Sequence, residues 1–109
     1  MSAYEVTVTV LVTPIAEPVA PFDSMAARFR RDFLWWILRS GGLNGSVTPD
    51  AVLQSLALRV DVVAGSLTEA LLVAERGVVF ATALTRPQWR LEVVRVVLNP
   101  TELPAARQR

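Results

Sequence analysis

From Tyr4 to Val12 apolar and polar side chains alternate: Val6, Val8, Val10 and Val12 fall on one side, Glu5, Thr7 and Thr9 on the other. Period-two alternation of β-branched residues predicts a strand with one face in a core. Pro14, Pro18 and Pro21 exclude helix interior from residues 13–21, which are predicted to run extended over the surface. The period then changes. Met25, Ala26, Phe29, Phe33, Trp36 and Ile37 form one stripe at helical spacing, with Asp23 or Ser24 as N-cap and Gly41–Gly42 as a left-handed stop after about Ser40. Leu43 to Thr48 reads as a short strand turned by Pro49–Asp50, and the proline beside it points to a sheet edge. Alternation returns with Leu56, Leu58, Val60 and Val62 inward and Ala57, Arg59 and Asp61 outward.

After Gly65, Ser66-Leu67-Thr68-Glu69 has the spacing of a capping box and opens a second helix that reaches about Leu84. Its inner stripe is Leu67, Ala70, Leu71, Ala74, Val78 and Ala81, mostly small, so the helix can lie close to a sheet. Gly77, on the edge of that stripe, costs about 1 kcal/mol against alanine, which close packing would explain. Pro87 ends the helical region. Trp89 to Leu98 is the last strand, with Leu91 and Val93 inward and Arg90 and Glu92 outward. A bulge near Val93–Val94 would bring Val94, Val96 and Leu98 inside and keep Arg95 outside. Asn99–Pro100 closes the strand, leaving one domain over residues 1–104 and a loose tail over 105–109.

The order strand, helix, weak strand, strong strand, helix, strand resembles the ferredoxin-like split βαβ fold over nearly the whole chain. That resemblance implies an α+β domain: a four-stranded antiparallel sheet ordered 4-1-3-2, with two helices on one face. It puts the proline-bearing strand at an edge and the two best strands in the middle. The succession of a helix ending in Gly-Gly, a hairpin, a capped helix and a Trp-containing strand also resembles small uncharacterised actinobacterial proteins of this fold. Neither resemblance implies an activity, because the fold hosts enzymes, regulatory modules and RNA binders.

Composition removes much of catalytic chemistry. The 109 residues are 52% hydrophobic and carry a net charge of +1, so there is a core to build and no strong field to attract a charged partner. Cysteine and histidine are absent, and all 11 basic residues are arginine. A Ser-His-Asp triad, a zinc site with Cys or His ligands, a Schiff base and a Walker lysine are therefore excluded. No Asp/Glu cluster has calcium-loop spacing, and no glycine-rich loop precedes a helix. We expect no metal and no cofactor. The N-terminus lacks a signal-peptide pattern and no stretch offers about 20 largely uncharged residues, so a cytoplasmic protein without a membrane span is expected.

The feature that stands out lies opposite the core stripes. Leu34, Trp35 and Leu38 on the first helix, and Leu72, Val73, Val79 and Phe80 on the second, fall where solvent should be. Apolar residues on both sides of both helices suggest a covered outer face, and hence a homo-oligomer or a protein partner. Arg28, Arg31 and Arg39 flank Trp35; an arginine lying on the ring, with Asp32 paired to Arg28 or Arg39, is favoured over a nucleic-acid surface. The positions that stack bases in RNA-binding versions of the fold are Thr7, Thr9, Ala57, Arg59 and Asp61 here, none of them aromatic, so no nucleic-acid partner is expected.

The open sheet face displays Thr7, Thr9, Arg59, Asp61, Arg90 and Glu92, a platform for a small ligand or a solvated face with cross-strand charge pairs. Asp61 with Glu92 is the one conceivable acid–base pair, though open, solvated carboxylates make poor general acids. Asp32, at the rim of the inner stripe beside Phe29 and Trp36, is the other carboxylate of interest. Three functional readings follow. The first is a non-enzymatic, self-associating interaction or regulatory module using Leu34, Trp35, Leu38, Leu72, Val73, Val79 and Phe80. The alternative is a small-ligand sensor with its site at a subunit junction near loop 13–21 or the open sheet face. A cofactor-free enzyme ranks third.

Overall fold

The valine alternation at the start of the chain produces β1 (Ser2–Pro14), whose Val6, Val8, Val10 and Val12 are all buried. It lies centrally in a computed structural model that describes residues 2–15, 21–85 and 88–101. The remaining elements are α1 (Phe22–Arg39), β2 (Gly42–Asp50), β3 (Ser55–Ala64), α2 (Leu67–Thr85) and β4 (Trp89–Thr101). The four strands pair antiparallel in the order β2-β3-β1-β4, as the ferredoxin-like resemblance implies. Pro18, Pro87 and the tail 105–109 lie outside the described residues.

The core forms between the valine face of the sheet and the two helices. Phe29, Phe33 and Ile37 from α1 meet Val6, Val10, Leu56, Leu58, Val60 and Val62, all wholly enclosed. Each such side chain contributes about 1.5–3 kcal/mol relative to exposure. The stripe expected on α1 faces this core; its half-buried member Trp36 packs against the core and also stacks on Phe80 with centroids 5.2 Å apart, which joins the two helices.

Local details depart from expectation where a long-range contact overrides a local preference. Helix α1 starts at Phe22, capped by Pro21 with no side-chain bond; Met25 N–H donates to the Pro21 carbonyl at 3.1 Å. Asp23 and Ser24 thus lie inside the first turn, where Asp23 faces the positive helix end. Gly41 has φ of 91°, the left-handed stop expected there. β2 continues through Pro49 and Asp50 because it is an edge strand, where a missing N–H leaves no ladder bond unmade. The turn falls instead at residues 51–54, held by Leu53 N–H donating to Asp50 Oδ1 at 3.0 Å. β4 likewise runs past Asn99 and Pro100 to Thr101, because Tyr4 and Ala3 continue to pair with it. The serine half of the capping box forms, with Ser66 Oγ accepting from Glu69 N–H at 3.2 Å; the glutamate half shifts by one residue, Glu69 Oε2 accepting from Gly65 N–H at 2.9 Å.

Candidate functional site

Small residues determine where α2 sits. Ala70, Ala74 and Ala81 are fully enclosed, and Gly77 lies so close to α1 that a Cβ there would be 3.0 Å from Phe33 Cε1 and 3.1 Å from Ile37 Cδ1. Drawn toward α1, the helix touches β3, β1 and β4 in slowly falling measure. The sheet side of β4 is left partly uncovered. A bulge in β4 fixes which residues show there: Thr9 opposes Arg95 but Val10 opposes Val93, so Val94 is the extra residue. Val93 and Val96 consequently turn toward α2, yet remain 46% and 40% exposed. The expected bulge is present, with the correction that Val94 is the unpaired residue rather than an inward one.

Between α2 and β4 this leaves a cleft of about 350 Å³, lined by Val8, Leu71, Glu75, Val78, Val79, Val93 and Val96. Leu71, Glu75, Val78 and Val79 recur at helical spacing and make one wall; Val93 and Val96 make the other; Val8 lines it from β1. Among the described residues, six of the seven lining side chains are aliphatic and one is a carboxylate. Such a hollow has the size and lining of a small-ligand pocket. A second hollow of about 240 Å³ lies at the start of β4, lined by Ile15, Thr82, Trp89, Arg90 and Leu91. There the buried Trp89 ring meets Phe22 edge-on at 6.3 Å, and its Nε1 has no hydrogen-bond partner among the described residues.

The outer helix residues fare unevenly. Trp35 stacks on Phe80 at 5.5 Å, while Leu34 and Val73 pack on the core, so much of the apolar coat is covered by its own chain. Trp35, Leu38, Leu72 and Val79 stay exposed, Leu38 most of all at 72%. Arg39 lies 3.9 Å above the Trp35 ring and donates to the Trp35 carbonyl at 3.3 Å, a cation–π contact rather than a base platform. Asp32 is buried, and its partner is Arg31, not Arg28 or Arg39: Arg31 Nε donates to Oδ1 at 3.1 Å. Asp32 Oδ2 and Trp36 Nε1, one turn apart on α1, are enclosed without a partner among the described residues.

The open sheet face does not gather its polar residues into one site. Glu5 pairs with Arg59 at 2.6 Å, and Asn44 donates to Asp61 at 3.0 Å. Asp61 opposes Glu5 on β1, whereas Glu92 opposes Leu11 and Arg90 opposes Thr13. Six residues of strand, roughly 20 Å, separate Asp61 from Glu92 along the sheet. They form no acid–base pair. Thr7 and Thr9 lie between the two ends, opposite Arg59 and Ala57. Among the described residues no group of three Asp or Glu side chains could hold a metal ion, and no helix is long and apolar enough to cross a membrane.

The α2–β4 cleft escapes a reading of the sequence, where Glu75 is one charge within the largely apolar stretch from Leu67 to Leu84. The available signals are the small-residue stripe of α2 and the bulge of β4, and only together do they imply an uncovered strand.

The βαββαβ order, the strand order and the shared helix face define a ferredoxin-like α+β domain. No protein-family model and no curated protein matches the sequence. Among solved structures, the chain is similar to a protein from Chloroflexus aurantiacus J-10-fl described as a candidate antibiotic biosynthesis monooxygenase, with a TM-score of 0.58 and 16% sequence identity over 92% of this chain and 93% of that one. At this identity the likeness is one of fold. It corrects the first functional reading: the non-enzymatic, self-associating module gives way, because the same architecture over almost the whole chain is that of a protein described as an enzyme.

Proposed function

We propose that this chain is a small-molecule-binding domain of enzymatic type that takes a small, largely apolar organic molecule into the cleft between α2 and β4. The observation that carries this is the cleft: about 350 Å³, six aliphatic side chains and a single carboxylate among the described residues, on a strand face that its own helix leaves open. Apolar walls supply affinity by removing ligand surface from water, at about 25 cal/mol per Å². The description of the structural neighbour supports an oxygenation as the reaction to test first. A homo-oligomer contact over Trp35, Leu38, Leu72 and Val79 stands beside this as a separate proposal, supported by their exposure and measured by molar mass in solution.

The test is a fluorescence titration with the neutral probe N-phenyl-1-naphthylamine, on the wild type and on Val96→Trp. Val96 is a half-exposed strand residue, so the larger ring fills the cleft without entering the core. Saturable binding weakened about tenfold or more by the substitution is the expected result. Equal affinity in the two proteins, with both folded by circular dichroism, rejects the cleft as the site. Compounds that bind then go to a dissolved-oxygen measurement.

A further inference from the structure

Building on the cleft reading, we infer that its preferred occupant is a cationic amphiphile, an organic amine whose apolar body lies between α2 and β4 while its ammonium group pairs with Glu75. Glu75 stands mid-wall, one turn after Leu71 and one turn before Val79, with Val78 beside it. Neither position one turn away is basic, and Glu75 makes no ion pair or hydrogen bond among the described residues. Its sequence neighbour Arg76 leaves the helix about 100° around the axis. The nearest arginine along β4, Arg95, opposes Thr9 and so belongs to the other side of the sheet. The cleft thus presents one unneutralised negative charge against aliphatic walls.

That arrangement orders ligands by charge. A neutral apolar ligand displaces water from the carboxylate and returns nothing to it. An anionic ligand adds repulsion. An ammonium group restores a hydrogen-bond donor and an opposite charge at the point where water is lost, while its apolar body covers Val93 and Val96. Because Glu75 itself is exposed, the pair falls in the range of solvent-screened contacts, worth at most about fivefold in affinity and weakened by salt.

Three probes of one shape separate these cases: 4-phenylbutylamine, 4-phenylbutan-1-ol and 4-phenylbutanoate, each displacing N-phenyl-1-naphthylamine at low ionic strength. The expected order is amine, alcohol, carboxylate, with the amine about fivefold tighter than the alcohol. Glu75→Gln is expected to bring the amine-to-alcohol ratio to about one, and Glu75→Lys to favour the carboxylate. Added salt should weaken the amine alone. Equal binding of amine and alcohol by the wild type, or a preference that survives Glu75→Gln, overturns the charge selection while leaving the cleft reading intact. Displacement by none of the three overturns this inference, while the cleft reading itself stands or falls on the Val96→Trp titration.

Discussion

Gly77→Ala probes how α2 is seated, and its sign depends on a contest that the structure decides. In an exposed helix the change stabilises by about 1 kcal/mol, since alanine gives up less backbone freedom on folding. Here the added methyl group would meet Phe33 Cε1 at 3.0 Å and Ile37 Cδ1 at 3.1 Å. Both neighbours must then retreat by a few tenths of an ångström. Neither has room: both are wholly enclosed, and Phe33 lies stacked on Phe29 at 6.1 Å. Overpacking of this kind costs about 1–3 kcal/mol, so the net expectation is a loss of about 1 kcal/mol. In urea that corresponds to a midpoint lower by roughly 0.5 M, with the slope unchanged. A double-mutant cycle with Phe33→Leu isolates the clash: the smaller side chain should make Gly77→Ala neutral or stabilising, a coupling of about 1 kcal/mol. A Gly77→Ala midpoint at or above that of the wild type would refute the close seating of α2.

Two further substitutions test other parts of the account. Ser66→Ala removes the cap of α2 and should cost about 1 kcal/mol, read as a thermal midpoint lower by several degrees; no change would mean that Glu69 alone secures the helix start. Asp32→Leu replaces a buried carboxylate whose Oδ2 has no partner among the described residues and whose Oδ1 meets the exposed Arg31. It should be neutral or stabilising by about 1 kcal/mol in chemical denaturation, and a loss of that size would show that the second oxygen is satisfied.

Most of the fold was legible because it is written in local periods. The valines of β1, the alternation of β3 and the serine half of the capping box at Ser66 each depend on residues a few positions apart, and each recurs in the structure. Strand ends were legible less well: Pro49 and Pro100 look like terminators, yet both stay in strands because their partners on β3 and β1 continue. The candidate site was hardly legible. Counting apolar faces marks Trp35 and Phe80 as exposed, but a helical wheel cannot show that the two rings stack on each other across the helix pair. The same count treats Val93 and Val96 as core, because it assigns every inward strand residue a helix above it.

Taken alone, the chain of residues determined the element types, their order, the edge position of the proline-bearing strand and the absence of histidine and thiol chemistry. These follow from backbone geometry and side-chain inventory, which act over short distances. Only the tertiary structure decided that α2 leans on Phe33 and Ile37, that Val94 is the bulged residue, and that an aliphatic cleft with one carboxylate opens beside β4. Those outcomes depend on the lateral position of one helix over a sheet, which is set by contacts between residues more than 40 positions apart, Phe33 and Gly77 among them.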